Sequence, residues 1–141
     1  MSATIPDNFK DLLEKPVYVS LATVMPDGQP QLSVVWCSYD GEHVLVNTVR
    51  GRQKEKNMAA RPKATILAVD PKNPYRWMEI RGTVVEISEA GAVDHIDQLA
   101  RSYAIAPKYF GGFVPAELAS QQTRVICKIK PTRVLSYHTR D

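Results

Sequence analysis

A basic segment between residues 47 and 62 contains the residues whose types and spacing point most clearly to chemistry. From Arg50 to Arg61, five side chains are positive and one is negative, so the segment carries +4 while the whole chain carries only +3. A strand-like run and a glycine, Gly51, precede a helical pattern here. The first N–H groups of a helix lack internal partners and lie at the positive end of its dipole, which favours an anion. The segment therefore predicts an anion site, with a solvated basic helix surface as the alternative.

Helical spacing aligns several of these residues on one face, namely Arg50, Lys54, Asn57 and Arg61. Two or three charges beside an amide can bind one phosphate through charge-assisted hydrogen bonds. Thr48 precedes the charges and favours phosphate, because hydroxyl groups and closely approaching backbone are typical of phosphate sites. Nucleic acid is disfavoured, since a net charge of +3 is modest and the patch is short for tracking a polynucleotide backbone.

Polar and aromatic residues on neighbouring strand-like runs are the next candidates. Gln31 and Ser33 share one face of a run whose other face is predicted to be the apolar inner one, and both could hold the edge of a planar ring. Ordinary alternation in a half-buried strand is the alternative. Trp36, Tyr75 and Trp77 could stack on a planar ligand, or they could be core aromatics.

No motif identifies a catalytic residue or a metal site. His43, His95 and His138 show no metal-ligand spacing with one another or with a cysteine. His95 is predicted to lie on the polar side of its helix, among Asp94 and Asp97. The chain contains no G-x-S-x-G, no Walker A motif and no dinucleotide-binding G-x-G-x-x-G. The sequence therefore predicts no metal and leaves the catalytic residues unassigned, with the chemistry supplied by a cofactor.

The composition predicts one cytoplasmic domain over residues 1–141. Of the 141 residues, 44% are hydrophobic and 23% charged, as in ordinary globular proteins. No apolar run approaches the roughly 18 residues that a membrane-spanning helix needs, so no integral membrane segment is predicted. Cys37 and Cys127 lie far apart in apolar runs, which indicates reduced, buried thiols, with a disulfide as the alternative.

The elements that must position these residues are mostly strands joined by short turns. Strand-like runs cover residues 17–24, 30–38, 43–47, 63–69, 75–87, 124–130 and 133–137. Short helices are predicted at 9–13 and 51–60, and a longer amphipathic one after Ser88. Short turns between consecutive strands indicate an antiparallel sheet, and Gly82 inside a long strand indicates a bend. The pattern predicts a mainly β protein, a barrel of six to seven strands with a few outer helices.

Three segments of the chain resemble the split β-barrel flavin/deazaflavin-dependent oxidoreductases, which are relatives of pyridoxamine 5′-phosphate oxidase. They are LATV-x-PDG-x-PQLS from Leu21, VNT-x-RGRQK-x-KN from Val46 with Arg61-Pro62 beyond it, and MEIRGTV from Met78. The resemblance extends over roughly residues 9–137, and the basic segment is its most specific part. It implies a homodimeric split barrel with a cofactor site at each end of the subunit interface. It also favours the branch that uses coenzyme F420 over the branch that uses FMN.

Carried over by position, the resemblance implies two sets of cofactor-binding residues. One set would hold the phosphate region of the cofactor: Thr48, Arg52, Gln53, Lys54 and Asn57. The other would lie beside its ring system: Gln31, Leu32, Ser33 and Val34, with Trp77 near the bound cofactor. The sequence lacks the longer C-terminal pyridoxal-phosphate-binding segment of the oxidases, so oxidation of pyridoxamine phosphate is not expected.

The expected function is therefore an F420-dependent reductase that transfers a hydride from reduced deazaflavin to a conjugated small-molecule acceptor. One alternative is an FMN-binding oxidase or reductase of the same fold. Another is a non-catalytic module that holds a flavin, a deazaflavin or haem. The segment 107–115, with Tyr109, Phe110 and Phe113 among glycines, is the expected acceptor-facing wall. A dimer contact or a surface loop is the alternative role for this segment.

Overall fold

The computed structural model describes residues 2–139 and contains seven strands and three α-helices in that range. The strands are β1 Val19–Val24, β2 Pro30–Val35, β3 Cys37–Tyr39, β4 Val44–Val49, β5 Lys63–Asp70, β6 Asn73–Ser88 and β7 Arg124–His138. The helices are α1 Asp11–Glu14, α2 Gln53–Ala60 and α3 Ala92–Tyr103. All strands join one curled antiparallel sheet in the order β2-β1-β5-β6-β7-β4-β3. The predicted mainly β class is confirmed.

The curl of the sheet depends on its two longest strands, β6 and β7. Their register shifts between Arg81 and Gly82, where Gly82 lies opposite Pro131. A Cβ atom on Gly82 would lie 2.6 Å from Ile129 Cγ2 and 2.7 Å from the Lys130 carbonyl oxygen. Only glycine permits this close approach, so the predicted bend at Gly82 is confirmed. The runs predicted as two strands around Pro131 form the single strand β7, because the proline falls at the register shift, where the ladder is already irregular.

The predicted run 30–38 is instead divided into β2 and β3, with Trp36 between them. The predicted inner face of this run is also wrong. Leu32 and Val34 are 67% and 69% exposed, whereas Gln31 and Ser33 are half-buried. The cause is the register with β1, in which Ser33 pairs with the fully buried Leu21 and therefore shares its inward direction.

The core lies on the concave side of the sheet, where Leu21, Ile66, Met78, Ile80 and Ile129 are fully buried. Helix α1 covers one end of this core, helix α2 packs on β1, and helix α3 packs mainly on β7. The predicted helix at 9–13 is a 3₁₀ turn over Asp7–Phe9 followed by α1. Both cysteines are free and buried, as the sequence predicted. Among the described residues, no helix is long and apolar enough to cross a membrane.

Candidate functional site

A cleft of about 240 Å³ opens where β2 turns into β3, facing the start of α2, the start of β7 and helix α3. Its lining combines basic side chains with aromatic ones and, within residues 2–139, contains no carboxylate. The lining residues are Tyr18, Val34, Val35, Trp36, Asn47, Arg52, Lys54, Ile96, Leu99, Tyr109, Phe113 and Arg124. Such a combination suits an anionic ligand that carries a planar, apolar part.

The three cations of the cleft are close enough to affect one another. Burial lowers the pKa of the Lys54 ammonium, and the neighbouring Arg52 and Arg124 charges lower it further. Burial likewise lowers the pKa of the Arg124 guanidinium, with the Arg52 charge adding to the effect. Both directions mean that the positive charges are insufficiently compensated in the protein alone. A bound anion would remove this deficit, so the electrostatics of the cleft favour a negatively charged ligand.

A tight turn after β4 brings Arg52 and Lys54 to the cleft. Gly51 adopts φ = 93°, a left-handed conformation that glycine accepts readily. Its backbone N–H donates to Glu55 Oε1 at 2.8 Å, and Glu55 also pairs with Arg50 at 3.3 Å. Glu55, the third residue of helix α2, thus reaches back over the start of the helix, as in one half of a capping box. The only acid in this segment is engaged in the turn, so it leaves Lys54 uncompensated.

The remaining residues of the predicted phosphate set do not line the cleft. Asn57 is fully buried, donates to Thr23 Oγ1 at 3.0 Å and accepts from Gln53 Nε2 at 2.7 Å. The bond to Thr23 joins helix α2 to strand β1, and the bond from Gln53 lies within the helix, so Asn57 fixes the helix that carries Lys54 and Gln53 supports Asn57. Thr48 is buried on the core face of β4, and its Oγ1 has no hydrogen-bond partner among the described residues.

Of the residues predicted beside the ring system, Val34 lines the cleft. Gln31 accepts a hydrogen bond from Thr23 Oγ1 at 3.0 Å, and the buried Ser33 Oγ has no partner among the described residues. Leu32 projects from the outer face of β2. Trp77 does not line the cleft of this chain; it stacks on Tyr137 across β6 and β7, with ring centroids 5.6 Å apart.

Aromatic side chains from three parts of the chain form the apolar wall of the cleft. Trp36 stacks on Tyr103 of helix α3 with centroids 5.4 Å apart, and meets Phe113 edge-on at 5.1 Å. Tyr109 lies 5.9 Å from Phe113, and its backbone N–H donates to Asp97 Oδ1 at 2.8 Å. The segment 107–115 therefore borders the cleft through Tyr109 and Phe113, while Phe110 packs edge-on against Tyr109.

Sequence reasoning missed Arg124 and the polar residues that hold it. Arg124 Nε donates to Asn47 Oδ1 at 2.8 Å, and Asn47 Nδ2 lies 3.1 Å from His95 Nδ1. The prediction that His95 lies on the polar side of its helix is wrong: it is 6% exposed, and its Nε2 lies 2.9 Å from Ser38 Oγ. Burial lowers the pKa of His95 to about 4, and the Arg124 charge contributes. A signal was present, because His95 falls four residues before the buried Leu99, on the apolar face of α3.

Comparison with known proteins places the chain in a family. The family described as "Pyridoxamine 5′-phosphate oxidase" matches residues 5–138. The chain belongs to this family. A pyridoxine/pyridoxamine 5′-phosphate oxidase of Rhodopseudomonas palustris (strain BisB5) is 36% identical over 84 residues, which is 59% of this chain and 39% of that protein. The chain thus spans about two fifths of the length of this curated relative.

Solved structures extend the comparison to the whole fold. An F420 reductase is 35% identical, covers 93% of this chain and 98% of its own, and superimposes with a TM-score of 0.78. A conserved hypothetical protein of Mycobacterium tuberculosis, 22% identical, covers 97% of this chain and 86% of its own with a TM-score of 0.73, and shares the fold. The predicted resemblance and the predicted split β-barrel are confirmed.

Proposed function

We propose that the chain is an F420-dependent oxidoreductase that passes a hydride from reduced deazaflavin to a conjugated small-molecule acceptor. Membership of the family and the oxidase and reductase names of its relatives support an oxidoreductase. The F420 reductase that is 35% identical over almost the whole chain favours F420 over FMN. The observation that carries the proposal is the cleft itself, where the described part of the chain brings Arg52, Lys54 and Arg124 to an aromatic wall without a carboxylate.

The residues of the cleft fit a coenzyme that combines a planar ring system with a phosphate-bearing tail. Arg52 and Lys54 would hold the phosphate by charge-assisted hydrogen bonds, and bound phosphate would restore the pKa of Lys54. Asn57 would act indirectly by fixing helix α2 against β1, and Gln53 by its hydrogen bond to Asn57 within that helix. The unpartnered hydroxyl groups of Ser33 and Thr48 are further candidates for hydrogen bonds near the ring and the strand end.

The chain would bind and orient the reactants and exclude water from between them. When bound, reduced F420 supplies the hydride, so the protein needs no nucleophile of its own. The cysteines agree with this role, because burial raises the pKa of Cys37 to about 11 and that of Cys127 to about 12. Both thiols therefore stay protonated at neutral pH and are poor nucleophiles.

We further propose a homodimer that covers the outer face of the sheet. Leu32 and Val34 on the edge strand β2, with Leu67 on β5 and Tyr137 on β7, expose apolar surface on this face. Exposed apolar patches and open sheet edges commonly mark an interface. In such a dimer, Trp77 would approach the cofactor from the partner subunit.

Sedimentation equilibrium tests the dimer. Leu32→Lys should release monomers, and a wild-type protein that is monomeric at micromolar concentration would disprove the proposed dimer.

Titration of the purified protein with F420 and with FMN, followed by ligand fluorescence, tests the cofactor. Saturable binding of F420 is expected, and Lys54→Ala should weaken it by about 1.5–3 kcal/mol because one charge-assisted contact is lost. Lys56→Ala is the matched control, since Lys56 lies on the same helix but is exposed and does not line the cleft. Saturable FMN binding without any F420 response would rule out the deazaflavin assignment.

Turnover separates an enzyme from a binding module. Reduced F420 should be oxidised in the presence of a conjugated acceptor such as an enone or a bilin-like compound. Tight binding of F420 without acceptor-dependent oxidation across such a panel would instead favour a non-catalytic module that holds the cofactor.

A further inference from the structure

Arg124 is a cation that is buried without an acidic partner in the described part of the chain. The residue is 5% exposed, and no carboxylate of residues 2–139 forms a salt bridge with it. Its Nε donates to Asn47 Oδ1 at 2.8 Å and its Nη1 to Gln122 Oε1 at 3.0 Å. Both acceptors are neutral amides. Burying a charge without a counter-charge is unfavourable, so a ligand is the natural source of the missing negative charge.

The guanidinium of Arg124 borders the same cleft as Arg52 and Lys54. It lies 4.8 Å from the centre of the Tyr109 ring, which forms part of the aromatic wall. Its hydrogen bonds of ordinary geometry within residues 2–139 are those of Nε and Nη1, while the neighbouring Tyr109 side chain raises the pKa of the guanidinium and only partly offsets its burial. A planar guanidinium with a free edge suits the two oxygens of a phosphate or a carboxylate better than a lysine ammonium does.

A chain of hydrogen bonds fixes the orientation of Arg124. Asn47 must present its oxygen to Arg124 Nε, so its Nδ2 donates both to the Ala92 carbonyl oxygen at 2.8 Å and to His95 Nδ1. His95 Nδ1 is thus an acceptor, and the ring proton resides on Nε2, which faces Ser38 Oγ at 2.9 Å. This series of hydrogen bonds joins β7, β4, α3 and β3. It requires neutral His95, because Nδ1 must accept the hydrogen bond from Asn47.

We propose that Arg124 is an oxyanion-binding residue of the cleft and that Asn47 and His95 are positioning residues that hold its guanidinium in place. This inference rests on the proposed function for the identity of the ligand. The oxyanion is a phosphate or carboxylate group, which the cofactor tail or an acidic acceptor can supply. In either case Arg124 supplies a planar pair of donors beside the charges of Arg52 and Lys54.

Protonation of His95 would disrupt this arrangement. A proton on Nδ1 would face the donating Nδ2 of Asn47, and the imidazolium would add a positive charge beside Arg124. Among the described residues, the charged group that faces His95 is Arg124 of β7. Its other two partners, Ser38 of β3 and Asn47 of β4, are neutral. Asp94 and Asp97 flank His95 along α3. Ligand affinity should therefore decline in acid as the acceptor at Nδ1 is lost.

Binding measurements on folded variants test both roles. Dissociation constants for F420 are measured by fluorescence and those for inorganic phosphate by calorimetry, after a cooperative thermal transition has shown that each variant is folded. Arg124→Met should weaken F420 binding at least about tenfold, and Arg124→Lys, which keeps the charge without the planar fork, should restore only part of it. Lost phosphate affinity in Arg124→Met assigns a phosphate to Arg124. If phosphate affinity is unchanged and F420 binding is weaker, the group bound by Arg124 is a carboxylate of the cofactor tail. If only the KM of an acidic acceptor changes, that acceptor supplies the oxyanion that Arg124 binds.

The positioning role has its own readout. His95→Phe removes the acceptor for Asn47 and should weaken F420 binding about threefold to tenfold. His95→Gln offers a neutral acceptor and donor, so it should restore much of the affinity and abolish the acid dependence seen in the wild type. His138→Gln is the matched control, because His138 is exposed at the end of β7. Equal pH profiles of the dissociation constant for wild type and His95→Gln would overturn the positioning role.

The outcomes separate this inference from the proposed function. A folded Arg124→Met or Arg124→Lys protein that binds F420, phosphate and acceptor as the wild type does would overturn the role of Arg124, even if Lys54→Ala still weakened F420 binding. If the wild-type protein does not bind F420 but binds phosphate, and Arg124→Met abolishes the phosphate binding, the oxyanion-binding role of Arg124 is supported and the F420 assignment is overturned.

Discussion

Two shielded arginines at different places in the sheet have opposite surroundings. The Arg76 side chain, on β6, is 14% exposed and pairs with Asp11 at 2.6 Å and with Asp70 at 3.0 Å. Arg124, on β7, is more deeply buried, at 5% exposed, and has amide partners and no acid among the described residues. Each guanidinium lies over an aromatic ring. The Cζ atom of Arg76 is 5.0 Å from the centre of the Phe9 ring, and that of Arg124 is 4.8 Å from the centre of the Tyr109 ring.

The pKa values of the two arginines are shifted in opposite directions by these surroundings. Hydrogen bonding to Asp11 raises the pKa of Arg76, whereas burial lowers the pKa of Arg124. The first arginine is compensated by the fold and ties α1 to β6. The second is held in place by neutral groups, and its charge remains available to a ligand. Charge compensation and depth of burial together therefore distinguish a structural cation from a binding cation in this molecule.

The largest effect on stability is expected for Arg76→Met. The change leaves the Asp11 and Asp70 carboxylates without their partner, so the free energy of unfolding should fall by about 2–4 kcal/mol. Affinity for F420 should stay unchanged, because Arg76 does not line the cleft. Urea unfolding measures the first quantity and fluorescence titration the second. A fall in F420 affinity with intact stability would reverse the roles assigned to the two arginines.

A smaller effect is expected from pH, through the residue that supports Arg124. His95 has a folded-state pKa of about 4 against an ordinary 6.5, so the unfolded chain binds more protons between these values. His95 should therefore contribute stability in full above pH 6.5, and this contribution should be lost as pH falls towards 4. The loss should be on the order of 2–3 kcal/mol.

The matched variant for this pH effect is His95→Gln, which does not titrate. Its stability profile should be flatter than that of the wild type between pH 4 and 6.5. Identical slopes of the unfolding free energy in this window would show that His95 titrates normally. The pKa of Asp11 is lowered by its hydrogen bond to Arg76, so the stability from that pair is lost at lower pH than the His95 window.

The smallest effect on stability is expected for Arg124→Met. Removing an uncompensated buried cation relieves its desolvation but leaves the Asn47 oxygen without a donor, so the free energy of unfolding should change by no more than about 1 kcal/mol. Chemical denaturation of the ligand-free protein provides the measurement. A loss as large as that of Arg76→Met would mean that Arg124 is also a structural cation, and the contrast between the two would disappear.

Local patterns predicted most of the fold and one part of the site. Alternation in β6 correctly separated Trp77 and Glu79 from Met78 and Ile80, since side chains of a strand alternate between its faces. The basic segment predicted Arg52 and Lys54, because a glycine turn before a helix start is a local feature. Arg124 and Asn47, which also line the cleft, are 77 residues apart, and only the pairing of β4 with β7 brings them together.

The incorrect predictions have the same origin. The faces of β2 were reversed because its inward direction is set by its pairing with β1, which the apolar pattern of Leu32 and Val34 does not reveal. The acidic neighbours of His95 in sequence predict an exposed position, whereas the residue lies on the buried face of α3. A polar residue on an apolar helix face has partners from other elements, and here these are Ser38 and Asn47.

The cofactor that co-purifies with the protein tests the central claim most directly. The protein would be expressed in a host that makes both FMN and F420, and the absorbance and mass of the released small molecule would be measured for wild type and for Lys54→Ala. The wild type should retain F420, and Lys54→Ala should retain much less. Release of FMN without F420 from the wild-type protein would contradict the account.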